Sequence, residues 1–451
     1  MQSDLIILGA GHAGISAARS AVKRGLKVTL IDLKVPAPGD KFDLQTVPAN
    51  LLARSFGKNS WASSDTSPKV NPLVEEVLAH QYLEFIEGCG RVTKSNAVEV
   101  GGKTFTAHKL IIATGSEATS GPDSTITDLP HFTEDRLPPI TDQLSGVVVV
   151  GGGEYACLVA QLFGVIGVAT HLVVPGHSLL EELEYEVSEI LERSLARLGI
   201  GVYFGMSLSS SAKDPISGGL ISVQLSDSTV LKASAIVTTG TRRGKTSGLG
   251  LEAIGCATDE SGFVKVNNRL QSSRSGIFCA GDVTGMLLGP SSAREMGRIA
   301  VSQAFDRSPV TRFDPMLITR VFPFTPPVAT LGMTERDTPR KSVRAAKVNF
   351  SELAGPTVGS EASGFVKLLS APRLLMRGVG GGKLIGATIV GPSAGEMISE
   401  LALAMRRNLP VGAIVENVRP ISNYNFAVEL AARELLESKN PSFSPPDSKS
   451  S

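Results

Sequence analysis

Charge of one sign is what this sequence most plainly lacks: 44 Lys and Arg stand against 43 Asp and Glu, a formal net charge of +1 over 451 residues. Nothing at the level of the whole molecule therefore draws it to nucleic acid or an anionic membrane. No apolar run is long enough to span a bilayer. The opening "DLIILGAG" has a short apolar run with no basic residues before it, which excludes a secretory signal. Cysteine is scarce: Cys89, Cys157, Cys256 and Cys279 show neither metal-ligand nor paired-redox spacing. Each sits among apolar or Gly residues and reads as a small core residue, which suits a reducing cytoplasm. There is one tryptophan, Trp61. Hydrophobic residues at 42% and charged ones at 19% describe a soluble globular protein, too long for one core, so two or three domains are expected.

Glycine carries the first positive signal. "DLIILGAGHAGISAARSAVKRGLKVTLID" reads as a strand, a tight turn with Gly9, Gly11 and Gly14, a helix of small residues, and a second strand ending at Asp32. Such a turn lets the backbone approach a pyrophosphate at a helix N-terminus, and an acid at the end of the second strand takes a ribose hydroxyl. The pattern recurs in "SGVVVVGGGEYACLVAQLFGVIGVATHLVVPG", with Gly151, Gly153, Ala156 as the small third residue, and a strand ending near Val174. Two such units mean two dinucleotide sites, or one site and one relic.

Two further strands end in glycine turns: "KLIIATGS", running into Ala113, Thr114 and Gly115, and "SSRSGIFCAGDVTG", ending in Gly281 and Asp282. After about residue 312 the composition changes. "RVFPFTPPVATLGMTE", "GFVKLL" and "KLIGATIVGPSAGEMISELALAMRRNL" read as strands followed by an amphipathic helix, a separate α+β domain without a glycine fingerprint. The Ser/Pro-rich end, 438–451, reads as a disordered tail.

These motifs in this order resemble the pyridine nucleotide-disulfide oxidoreductase family, which includes lipoamide dehydrogenase, glutathione reductase and mercuric reductase. The resemblance runs from Ser3 to Leu436. It implies an α/β fold with two doubly wound, Rossmann-like units, one for FAD and one for NAD(P), and a C-terminal α+β dimerisation domain. The expected division is 1–145 with 241–312 for FAD, 146–240 for NAD(P), and 313–437 for dimerisation. Gly9, Gly11, Gly14 and Asp32 would bind the ADP half of FAD, with Ala113, Thr114 and Gly115 beside it and Gly281 and Asp282 at the ribityl chain. Gly151, Gly153 and Glu154 would line the NAD(P) site.

Against that family the departures are informative. Family members carry two cysteines four residues apart, followed by Val-Pro-Ser-Lys. Aligned on Val47 and Pro48, "PGDKFDLQTVPANLL" has Lys41 and Thr46 in those places, and neither can form a disulfide. The family ends with His-Pro-Thr-x-x-Glu; here "VRPISNYNF" has Arg419 at the His position and Tyr424 near the Glu position. Arg does not give up its proton and is no general base. The family Lys becomes Asn50 and its Glu partner Leu158, a joint change that leaves no buried charge unpaired. The aromatic gate beside the nicotinamide becomes Glu154. The strand end offers Val174 and Pro175, neither an acid for NAD nor a base for NADP; His177 either reaches a phosphate or is a plain surface residue. Trp61 stacks on a substrate or pins its own Ser-rich loop.

Three functions compete on this reading: an NAD(P)H-dependent flavin reductase with a non-thiol small-molecule acceptor, an FAD oxidase or dehydrogenase that has dropped nicotinamide, and a non-catalytic flavin-binding partner protein. The chain is expected to be an FAD-binding homodimer. Lys41, Thr46, Arg419 and Tyr424 are the candidates for catalysis. Lys41 with the partner's Arg419 would make an anion-accepting pocket; alternatively Lys41 turns to solvent and Arg419 braces the C-terminal helix.

Overall fold

A computed structural model of the chain describes residues 2–33, 72–119, 129–138, 144–214, 219–307, 311–338, 343–353, 363–372, 379–420 and 423–437. Lys41, Thr46, Asn50, Trp61 and the tail 438–451 lie outside the described residues. Among those described, one compact unit takes 2–33, 72–119, 241–307 and 311–315, and the other takes the rest.

The first unit is built on a sheet ordered Leu83–Glu87, Val28–Asp32, Gln2–Leu8, Lys103–Ile112, Ala97–Val100, Arg91–Lys94, with Ile277–Cys279 also paired to Lys103–Ile112. The strands around Gln2–Leu8 are parallel and covered on both faces, so they read as unbroken apolar runs such as Leu5, Ile6 and Ile7, each fully buried. The order reverses at Gln2–Leu8: the chain leaves to Val28–Asp32 on one side and returns to Lys103–Ile112 on the other. Open α/β sheets bind ligands beyond the carboxyl ends of strands at such a switch point. The helices His12–Val22 and Pro290–Phe305 pack backbone to backbone through small residues. A side chain on Gly297 would overlap the carbonyl oxygen of Ala13.

The second unit contains a parallel sheet ordered Gly201–Phe204, Ala169–Val174, Gly146–Val150, Ala235–Thr238, His131–Thr133. It also contains a small antiparallel sheet over 208–233 and a five-stranded antiparallel sheet, in the order Arg320–Phe322, Val328–Gly332, Lys383–Val390, Phe365–Ala371, Arg344–Asn349. The helices Ala394–Arg406 and Phe426–Glu437 bury Ile398, Leu401, Val428 and Leu435 against that last sheet. One apolar cluster runs from the nucleotide-type sheet into the C-terminal one, placing Phe163 and Val149 with Phe322, Phe324, Phe365 and Val390. Beside it lies a buried charge cluster. The Lys367 ammonium is 3.1 Å from Glu184, 3.0 Å from Glu186 and 2.8 Å from Glu335. No helix among the described residues is long and apolar enough to cross a membrane.

Candidate functional site

Each glycine of the first fingerprint has its own physical reason. Gly9 ends the first strand at φ +105°, donates to the Ile31 carbonyl at 2.8 Å, and lies so close to Ala113 that a Cβ would overlap its carbonyl oxygen. A Cβ on Gly14 would overlap the carbonyl oxygen of Gly9. These two positions are glycine because the protein's own backbone fills the space. Gly11 differs. It caps the helix His12–Val22 with no side-chain bond, and a Cβ there would meet nothing within 4 Å. Among the described residues nothing packs where a Gly11 side chain would stand, and the space lies at a helix N-terminus, the kind of place that draws a phosphate.

Asp32 closes one side of this cradle. Its carboxylate accepts the Ala10 N–H at 2.6 Å and the Leu33 N–H at 2.7 Å, holding the strand end across the glycine turn. On the other side Ala113 donates to the Leu8 carbonyl at 2.7 Å, Thr114 donates its hydroxyl to the Lys245 carbonyl at 2.7 Å, and Gly115 turns at φ +78°. Gly281, at φ +82°, delivers Asp282 to the same end of the sheet. Asp282 accepts the Gly289 N–H at 3.0 Å, at the start of Pro290–Phe305, and the Ser116 hydroxyl at 3.4 Å. Arg242 donates to Ser116 in turn, at 2.9 Å. The structure thus brings Gly9, Gly11, Gly14, Asp32, Ala113, Thr114, Gly115, Gly281 and Asp282 together, while the expected Lys41 lies outside the described residues. It adds Ser116, Gly289, Arg242 and Gly297, whose only sequence signal is Ser116 following the Ala-Thr-Gly turn.

The second fingerprint repeats the logic. A Cβ on Gly151, at φ +136°, would overlap the Thr239 hydroxyl, and Ala156 packs against the same spot. Gly153 caps Glu154–Val165, and a Cβ there would meet nothing within 4 Å. As at Gly11, the capping glycine is open among the described residues. Glu154 stands in the first turn, 3.5 Å from Arg320 of the C-terminal sheet, whose guanidinium lies 4.7 Å over the Phe322 ring.

Family models match at both levels. "Pyridine nucleotide-disulphide oxidoreductase" covers residues 3–304, and the dimerisation domain of the same family covers 318–422. The chain belongs to the pyridine nucleotide-disulphide oxidoreductase family. Members of this family bind FAD and use NAD(P)H. The chain is 28% identical to dihydrolipoyl dehydrogenase of Chlorobaculum tepidum, over 97% of this chain and 98% of that one. Mercuric reductase of Bacillus cereus is 27% identical, over 95% and 70% of the two chains. Soluble pyridine nucleotide transhydrogenase of Marinomonas sp. is 25% identical, over 88% and 89%. The HOCl-induced flavoprotein disulfide reductase RclA of Escherichia coli shares the fold, with a TM-score of 0.81 at 18% identity over 96% and 99% of the chains.

The residues present fit FAD: the open Gly11 cradle, the Asp32 carboxylate and the Asp282 turn are the parts that would hold its phosphates, ribose and ribityl chain. The family's thiol equipment is another matter. Cys157, Cys256 and Cys279 are buried free thiols, and burial pushes all three above the ordinary thiol range; Cys89, expected from sequence to be a core residue, is instead exposed. Arg419 is buried within its own chain. Its guanidinium pairs with Glu400 at 3.2 and 3.0 Å and donates to the carbonyls of Ile414 at 2.7 Å and Asn417 at 2.9 Å. Tyr424 is half-buried with its ring 4.8 Å from that of Phe350, tilted at 44°.

Proposed function

We propose that the chain is an FAD-dependent oxidoreductase that passes electrons from NAD(P)H to a non-thiol acceptor, such as a quinone, oxygen or another small molecule, and that it is not a disulfide reductase. One observation carries this reading: the chain's four cysteines include no pair at the family's redox positions, and three of them are buried with thiols held protonated. A thiolate is the nucleophile in disulfide exchange, and burial in apolar surroundings disfavours it. One relative is itself named for transhydrogenation of pyridine nucleotides rather than for a disulfide substrate.

When bound, FAD accepts two electrons and releases them to the acceptor. The chain's own residues would orient it: the N–H groups after Gly11 would hold the phosphates, and Asp32 and Asp282 would hold the ribose and the ribityl chain. Arg419, satisfied by Glu400 and two carbonyls, supports the bracing role over delivery of a cation to a partner's site. Lys41 and Thr46 are then the residues of this chain left at the family's sulfur positions. Homodimerisation is supported by the dimerisation-domain match and by exposed Val418, Leu403 and Leu409 on the C-terminal part. A reducing cytoplasm agrees with four free cysteines.

Anaerobic mixing with NADH or NADPH tests the reading: the flavin absorbance should bleach, then recover with quinone or oxygen and not with lipoamide or glutathione disulfide. Recovery with a disulfide would sink it. A second reading, an FAD oxidase or dehydrogenase of an organic substrate without nicotinamide use, is favoured by Glu154, a carboxylate beside the second glycine turn. It predicts no bleaching with either nucleotide.

A further inference from the structure

The register of the second nucleotide unit shows what stands at its ribose position. In the first unit Leu8 pairs with Ile31, Gly9 donates to the Ile31 carbonyl, and the next residue is Asp32. In the second unit Val150 pairs with Val173, Gly151 donates to the Val173 carbonyl at 2.9 Å, and the next residue is Val174. Val174 therefore occupies the place of the ribose-binding acid. Its methyl group packs so closely on Gly152 that a Cβ there would lie 2.8 Å from Cγ1.

The chain then turns back. Leu180 adopts φ +49°, is fully buried, and donates its N–H to the Gly152 carbonyl at 2.8 Å, which stitches the turn onto the glycine loop. Glu181 follows directly. Its carboxylate folds back onto the residues that follow the strand, accepts the His177 N–H at 3.1 Å, and lies so near Gly176 that a Cβ on that glycine would overlap it. Gly176 is thus the residue that admits the carboxylate to the strand end. Glu181 is exposed, and a carboxylate has acceptor capacity for several hydrogen bonds beyond the one from His177.

We propose that Glu181, returned to the end of strand Ala169–Val174 by this turn, holds the adenosine ribose of the nicotinamide dinucleotide and makes the chain select NAD(H) over NADP(H). A carboxylate accepts from the vicinal ribose hydroxyls and repels a 2′-phosphate of about −1.5 to −2 charge. A cation stands at the turn: Arg336 donates to the main-chain carbonyl of Glu181 at 2.6 Å. It is the group a 2′-phosphate would seek instead.

This inference rests on nicotinamide use, so the test separates the two. Calorimetric titration of the FAD-loaded protein with oxidised NAD⁺ and NADP⁺ reads binding without electron transfer. Wild type should bind NAD⁺ at least tenfold more tightly than NADP⁺. Glu181→Gln should weaken NAD⁺ about tenfold and strengthen NADP⁺ by relieving the repulsion of its 2′-phosphate, and Glu181→Arg should invert the preference; Gly176→Ala, which displaces the carboxylate, should weaken NAD⁺ as Glu181→Gln does. Retained flavin absorbance reports that each variant is folded. NAD⁺ binding indifferent to Glu181, or a preference for NADP⁺ that Arg336→Ala abolishes, would overturn the ribose assignment and leave nicotinamide use standing. Failure of wild type to bind either nucleotide, with no bleaching by NADH or NADPH, would overturn both.

Discussion

Lys367→Met removes the cation around which Glu184, Glu186 and Glu335 are gathered, while keeping an unbranched side chain one atom shorter. In the native protein burial acts to lower the Lys367 ammonium, and the charges of Glu184 and Glu186 outweigh it and raise the group above its ordinary value. Burial raises Glu184, whose side chain is only 2% exposed. Glu186 is lowered: burial acts upward, and the Lys367 charge with hydrogen bonds overcomes it. The signs follow. The Lys367 contribution is complete below its unfolded value of about 10.4 and is lost as pH rises through the folded one. The Glu186 contribution is present above an unfolded value of about 4.3 and is lost as pH falls through the lower folded one, while Glu184 opposes it. Without Lys367, Glu184 is a buried charge with its cation gone, and breaking such an arrangement costs about 3–5 kcal/mol. Protonation of Glu184 caps that loss at about 3.7 kcal/mol at about pH 7, because each pH unit above about 4.3 is worth about 1.36 kcal/mol. At about pH 5.5 the cap falls to about 1.6 kcal/mol. Denaturant unfolding followed by circular dichroism, at fixed FAD concentration and at both pH values, measures this. Lys367→Met with Glu184→Gln should recover most of the loss at neutral pH. A single variant within about 1 kcal/mol of wild type at neutral pH, or one whose deficit is the same in acid, would refute this account of the cluster.

Asp282→Ala removes the acceptor of the Gly289 N–H and of the Ser116 hydroxyl, and should weaken FAD retention by about 1.5–3 kcal/mol, read from flavin absorbance after dialysis. Arg419→Met should lower stability by about 2–4 kcal/mol by leaving the Glu400 carboxylate without its cation, with the Asn417 amide still donating to it, and by removing the guanidinium from two carbonyls; Glu400→Gln in the same chain should restore part of it. If bracing is its role, the flavin midpoint potential stays at the wild-type value; a shifted potential in a stable variant would put Arg419 at the flavin. Alkylation of the native protein at neutral pH should mark Cys89 and spare Cys157, Cys256 and Cys279, whose raised thiols stay protonated. Cys89→Ser should keep bleaching by reduced nicotinamide, and no long-wavelength thiolate-to-flavin band should form in either protein. Its appearance would mean that a sulfur reaches the flavin.

Local chemistry makes much of this protein legible in its amino-acid sequence. A glycine turn between an apolar strand and a helix of small residues has few conformational solutions, so Gly9, Gly11, Gly14 and Asp32 announce their geometry from sequence. The repeat at Gly151 and Gly153 does so again. The absence of a cysteine pair is likewise a property of sequence, since no fold can supply a missing sulfur. What tertiary structure decided lies in contacts between side chains far apart in the chain. Asp282 meets Ser116 across 166 positions, and Lys367 meets Glu184 across 183. Neither pairing leaves a periodicity or a spacing to read. Glu181 shows the difference most clearly. By sequence the second strand ends in Val174 with no acid, and only the left-handed turn at Leu180, closed by its bond to Gly152, sets the Glu181 carboxylate against Gly176 and His177 just beyond it. Arg419 is the same case in reverse: its position in the chain suggests a cation for a partner's site, whereas its geometry is set by Glu400 and two carbonyls that only packing brings within reach.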